Sequence, residues 1–309
     1  MIYVDKLSNL EQKIISICYC DYNYFFKNPN VVGVGLGYKT TNGFCTCEKC
    51  IKVFVKCKIP SNRLSNENLI PQFYKGIKTD ITSTGIIKSS AFTARIRPVL
   101  GGYSVGPIRV KKNGSAGCLV HHGTDYYLLS ANHVLAGGNT VPLGTTIVQP
   151  GVDDGGIASR DAIGKLSKFI PLNYITPTAQ PENFVDCAIA KLSRKSILSP
   201  FIAIIGKLKG THPPVLESHV QKSGRTSELT LGQITSIRCT IKVNFESGQC
   251  LFKNQILATK MSEAGDSGSI LVDSNNFAIG LLVGSSTCNS IFNPIDTVLH
   301  SLNVSLVTS

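Results

Sequence analysis

From Arg95 to its end the chain is divided into short apolar runs: "AGCLVHH", "DYYLLSA", "DCAIAKL", "LGQITSI", "SGSILVD" and "FAIGLLVG". Clusters of Gly, Pro, Asn and Asp separate them. That rhythm suits strands that turn back every few residues, so it predicts an all-β barrel or sandwich rather than strands alternating with helices. One stretch departs from it. Ile295, Val298, Leu299 and Leu302 fall at i, i+3, i+4 and i+7 behind Pro294, which predicts a C-terminal helix with one apolar face. No repeat of fixed short period is present.

The first 90 residues have a different texture. "VVGVGLGYK" (31–39) and "CIKVFVKCKI" (50–59) read as two strands joined by a turn. A short helical piece is expected near Ser61, and Pro71 and Gly76 end any longer helix, so the segment reads as a small α/β unit. "GVGLG" lacks the Lys-Ser/Thr ending and the spacing of a phosphate-binding loop, which leaves strand glycines. The Ser/Thr-rich stretch Thr82 to Ala94 fits a linker. Three sections follow: 1–90, with a regulatory role as one option, then 91–205 and 206–309.

Composition narrows the class. At 309 residues, 42% hydrophobic and 16% charged, the chain has enough apolar material for packed cores and is not a disordered tail. No stretch approaches the roughly 20 apolar residues of a membrane-spanning helix. The N-terminus carries Asp5 and Glu11 and lacks a basic, then apolar, export signal. With that reading, eleven cysteines, an odd number, predict reduced thiols and a cytoplasmic protein. Cys45, Cys47 and Cys50 of "CTCEKC", with Cys57, are weak candidates for a zinc site, since only one Cys-x-x-Cys is present, although Cys18 and Cys20 could supply a second pair. Ordinary thiols are the favoured reading, and no metal or cofactor is expected. The net charge of +12 is concentrated near the N-terminus, where residues 1–95 hold 13 Lys/Arg against 6 Asp/Glu. This keeps open a second kind of protein, a binding module or pseudoenzyme whose basic N-terminal domain recruits nucleic acid or an acidic protein.

The chemistry gathers around "MSEAGDSGSILV" (261–272). A serine hydroxyl becomes a nucleophile only when a base takes its proton and a third group fixes the base. Of the six histidines, His133 in "YYLLSANHVLA" alone directly follows an apolar run and sits among small residues. Asp186 in "FVDCAIAKL" lies at the mouth of another such run. Each of these residues alone reads as structural, and their combination points to chemistry.

Three segments resemble those of chymotrypsin-like serine peptidases: "LLSANHV", "VDCAIAKL" and "GDSGSILV", in that family's order of His, Asp and Ser. The resemblance covers about residues 96–309 and implies a mainly β fold, two six-stranded antiparallel barrels with a C-terminal helix, preceded here by the small α/β domain. "IRPVLGGYSVG", "IVQPGVDDGG" and the leader are similar to leaderless bacterial members with an extra N-terminal region. The family's mechanism implies His133 as base, Asp186 as its orienting acid and Ser267 as nucleophile. The N–H groups of Gly265 and Ser267 would form the oxyanion hole, and proteins or peptides would be the substrates.

The departures carry expectations of their own. Ser269 replaces a glycine. Val283 stands near the place where the family often has a serine beside the triad acid, so Asp186 must be held otherwise. No activation site appears around Arg95, so Asp266 is expected to bond a side chain or a backbone N–H. Met261 occupies the position at the base of the primary pocket, which removes a Lys/Arg preference unless Glu263 supplies the charge. Val283, Gly284 and Ser285 are the expected walls, admitting an apolar or small residue.

Overall fold

The computed structural model describes residues 7–41, 43–85, 92–110 and 112–308. The chain divides into two compact units, Met1–Ser90 and Ala91–Ser309. The middle of the expected linker, residues 86–91, lies outside the described residues.

In the first unit, Ser8 caps the helix Asn9–Cys20 by accepting from the Glu11 amide while Glu11 reaches back to the Ser8 amide, a reciprocal pair that satisfies two otherwise orphan donors. This helix is absent from the sequence expectations. It packs Ile14 and Ile17, with Phe25 of the helix Tyr22–Phe26, onto Val31, Ile51, Val53, Val55 and Ile77 of a four-stranded sheet. The strands Val31–Thr41 and Phe44–Val55 form the expected antiparallel pair, and Ile77–Ser83 joins the second of them in parallel. Near Ser61 the expected helical piece is two 3-10 turns, Ser61–Arg63 and Asn66–Asn68, because a stretch this rich in Asn and Ser prefers local turn bonds to a helix.

The second unit is mainly β. One sheet holds six strands of three or more residues: Ser104–Pro107, Leu119–His122, Asp125–Ser130, Thr146–Val148, Ala162–Phe169 and Ala188–Leu192. A second sheet holds another six: His219–Gly224, Glu228–Phe245, Gly248–Thr259, Ile270–Asp273, Phe277–Ser285 and Asn289–Pro294. Two-residue strands extend each sheet. Of these, Ser305–Leu306 returns from the C-terminus to Leu119–His122, and Glu182–Asn183 reaches forward to Gly248–Thr259. Each sheet closes over its own buried core, around Leu119, Leu128, Ile147 and Ile163 in one and Val220, Ile234, Ile256 and Phe292 in the other. A third cluster, with Val120, Leu129, Ile189, Ile270 and Leu281, packs against both and takes in Val298 and Leu302 of the helix Ile295–Leu302. That helix stands where the sequence periodicity sets it.

Candidate functional site

Strand register brings the first two residues together. Ala188 pairs with Ser130, so Asp186, two residues before its strand, lies at the same end of the sheet as His133, three residues past the partner strand in the short helix Asn132–Leu135. The Asp186 carboxylate accepts from the His133 backbone N–H at 3.0 Å and contacts ring nitrogen Nδ1 through its other oxygen. Asp186 is fully buried, and the His133 side chain is 21% exposed.

Asp186 is placed by a residue that the sequence motifs do not point to. Its backbone N–H donates to Asn293 Oδ1 at 2.7 Å; Asn293 in turn donates to Gln255 Oε1 at 2.6 Å, and Gln255 donates to the Phe184 carbonyl at 3.0 Å. All three side-chain groups are fully buried. Such a chain leaves Asp186 little freedom, since any displacement strands buried polar groups. Two buried cysteines flank the same carboxylate. Burial and the nearby Asp186 charge raise the Cys187 thiol well above its ordinary value and bring Cys250 to about 11, which keeps both in the unreactive thiol form.

Ser267 comes from the second sheet. Its loop is pinned to the first by the Ser115 amide donating to the Ser267 carbonyl at 2.8 Å and the Ser115 hydroxyl donating to the Gly265 carbonyl at 3.1 Å. Gly265 has φ +99°, and a Cβ there would stand 2.4 Å from Thr226 Oγ1; Gly268 has φ +88°, with Ser130 Oγ 2.1 Å from the equivalent point. Only glycine satisfies both conditions. Among the described residues, the backbone N–H groups of Gly265 and Ser267 have no hydrogen-bond partner. The Ser267 hydroxyl donates to the Val283 carbonyl at 3.3 Å.

A cavity of about 590 Å³ joins these parts, with His133, Gly265, Ser267, Val283, Gly284 and Ser285 among its walls. Phe245, at the end of the long strand Glu228–Phe245, lays its ring 5.3 Å from the His133 ring between centroids. Met261 does not line the cavity; it is buried in the core beside Val220 and Ile234. Glu263 lies outside it too, exposed and paired with Lys260 at 3.3 Å.

Next to Ser267, Asp266 is fully buried against the equally buried Lys222, 3.1 Å away. Its oxygens also accept from the Ser227 hydroxyl and from the amides of Thr226, Ser227 and Glu263. Burial pushes the Asp266 carboxyl up, but the Lys222 ammonium and these donors outweigh it and hold the group below its usual range. Burial pulls the Lys222 ammonium down, with Asp266 opposing.

Alongside the six-and-six strand arrangement, with His133 and Ser267 lining one cavity and Asp186 buried behind His133, a family model, that of trypsin, matches residues 101–300, well over half of the chain. The chain belongs to the trypsin family. It is 35% identical over 106 residues to Serine protease 1 of Rarobacter faecitabidus, a match covering 33% of this chain and 19% of that protein. Among solved structures it is similar to Thermobifida fusca protease A, with 19% identity, TM-score 0.51, and 68% of this chain and 99% of that one covered. Cellulomonas bogoriensis chymotrypsin is comparable at 20% identity, TM-score 0.49 and coverage of 68% and 99%. At 19% identity the Thermobifida fusca structure speaks for the fold alone, and the matched trypsin-family region lies wholly within the second unit.

The cysteines of the first unit are dispersed: Cys45, Cys47 and Cys57 are exposed and Cys50 is buried. Among the described residues no three Cys, His, Asp or Glu side chains are grouped to hold a metal ion, and no helix is long and apolar enough to cross a membrane.

Proposed function

We propose that the protein is a serine endopeptidase in which Ser267 attacks the peptide carbonyl, His133 relays the proton and Asp186 orients His133. The observation that carries this reading is the meeting of the His133 and Ser267 side chains in one cavity while a buried carboxylate contacts Nδ1 of that histidine. With Nδ1 facing Asp186, the proton sits there and Nε2 is the free acceptor. For attack, the Ser267 hydroxyl leaves the Val283 carbonyl and turns to Nε2. As the Oγ–C bond forms, its proton passes to Nε2 and the carbonyl electrons move onto oxygen, where the amides of Gly265 and Ser267 stabilise them. Nε2–H then protonates the amine as the C–N bond breaks, leaving an acyl-enzyme that water hydrolyses by the same steps.

The Lys222–Asp266 pair supports a loop organised without cleavage of the chain, because a buried ammonium within the fold already faces the acid beside the nucleophile. Since neither Met261 nor Glu263 lines the cavity, no Lys/Arg preference is expected of it. The eleven free thiols fit a reducing, cytoplasmic setting. Nucleic-acid recruitment by the first unit stays the second reading; Lys49, Lys52, Lys75 and Lys78 are each paired with an acid, which leaves the other basic residues of that unit for such a partner. A fluorophosphonate probe tests the reading: it should label the wild type and fail on Ser267→Ala, with the thermal unfolding curve unchanged. Labelling that survives the substitution rejects Ser267 as nucleophile.

A further inference from the structure

We propose that Lys242 makes the cavity select substrates carrying a carboxylate side chain, which deepens the peptidase reading and rests on it. Besides His133, the charged residues along the cavity are Lys112, Lys242 and Glu246. Lys112 and Glu246 pair with each other at 2.5 Å, so their fields largely cancel. Lys242 has no ion-pair partner among the described residues. Lys260, whose ammonium donates to the Ser285 hydroxyl at 3.2 Å, is already engaged by Glu263. Substrate in this cavity therefore meets one uncompensated fixed positive charge.

Three further features turn that charge into a selector. Lys242 stands on a fixed backbone: it pairs with Leu251, and its neighbours Val243 and Phe245 pack on Cys250, Phe252 and Val283. The site for a reading group is therefore preset rather than carried on a loop. Space is available, because Gly284 presents no side chain and a Cβ built there would meet nothing within 4 Å. The hydroxyls of Ser285 and Ser286 in the same cavity already donate to the carbonyls of Ser262 and Asn289 at 3.2 and 3.5 Å, so neither competes with Lys242 for a carboxylate. A carboxylate entering beside Lys242 gains an ion pair and expels water from it. A Lys or Arg side chain meets like charge, and an amide gains only an ion–dipole hydrogen bond from the ammonium, weaker than an ion pair.

Because Lys242 is itself exposed, the expected selectivity is modest, about fivefold in kcat/KM for a Glu or Asp substrate over its Gln or Asn isostere, and it should shrink as salt is raised. The full-length protein is profiled with a peptide library alongside Lys242→Gln and Lys242→Glu, and each chain is labelled with a fluorophosphonate to report the state of Ser267. The expected result is enrichment of Asp and Glu at one fixed position relative to the cut. It should be lost in Lys242→Gln and replaced by Lys and Arg in Lys242→Glu. A labelled enzyme without that enrichment, or one whose enrichment survives both substitutions, overturns the proposal. A chain that does not label fails the peptidase reading instead. Lys242 is then judged by binding of a Glu peptide and its Gln isostere to the Ser267→Ala chain: tighter binding of the Glu peptide that disappears on adding Lys242→Glu upholds the carboxylate site, and equal affinity overturns it.

Discussion

At the scale of single residues, the site depends on side chains that never touch substrate. Asn293 holds the Asp186 backbone and is held by Gln255, so Asn293→Leu strands the Asp186 N–H and the Gln255 carbonyl in a buried space. The loss should be about 1–3 kcal/mol of stability. As a positioning residue, Asn293 should also affect the imidazole through Asp186. The pH profile of kcat/KM for the variant is therefore expected to move, whereas a purely structural role would leave its shape alone. Lys222 presents a harsher case. Lys222→Met leaves the Asp266 charge buried and unpaired, at a cost of about 3–5 kcal/mol. Adding Asp266→Asn should recover part of that stability in denaturant melts, because the isolated charge is then gone.

At the scale of elements, two local devices decide much. The loop Gly265–Gly268 works because two positive-φ glycines let the chain pass within hydrogen-bond reach of Ser115, and Gly265→Ala must strain the backbone and displace Thr226. Since the Gly265 amide is a proposed oxyanion donor, turnover of a peptide ester should fall by about 10²-fold, with KM little changed. The helix Asn9–Cys20 depends on its capping box. Ser8→Ala should destabilise the first unit by about 1 kcal/mol, read as a lowered first transition in calorimetry.

At the scale of the whole molecule, two units with separate cores should unfold in separable steps. Acid should weaken both, for identifiable reasons. In the first unit the Ser8 backbone and hydroxyl bonds, with Lys49, bring the Glu11 carboxyl down to about 2. In the second, Asp266 is depressed because Lys222 and the surrounding donors prevail over burial. A carboxyl whose folded pKa lies below its unfolded value stabilises the fold above the unfolded value, near 4, and loses that contribution as pH falls toward the folded one. The first transition temperature should therefore drop between about pH 4 and pH 2 and the second as pH falls below about 4, and Glu11→Gln should flatten that dependence for the first unit alone. A first transition as acid-sensitive in the variant as in the wild type would show that the cap carries no such linkage.

Local chemistry determined what the sequence makes legible. Apolar runs between turn residues dictate strands, the 3.6-residue spacing after Pro294 dictates the last helix, and three short segments single out His133, Asp186 and Ser267 as a set. The helix Asn9–Cys20 escaped that reading, although Ser8 and Glu11, spaced as a capping box, were its local signal. Tertiary structure decided the rest. Asn293 lies 107 residues from the amide it receives, so nothing in its neighbourhood announces the contact. Whether Met261 faces a cavity or a core, and whether Lys242 stands near Ser267, follows from how strands register and twist across two sheets. A one-residue change in pairing reverses which way every side chain points, and that choice is made by packing among distant residues rather than by any short stretch of chain.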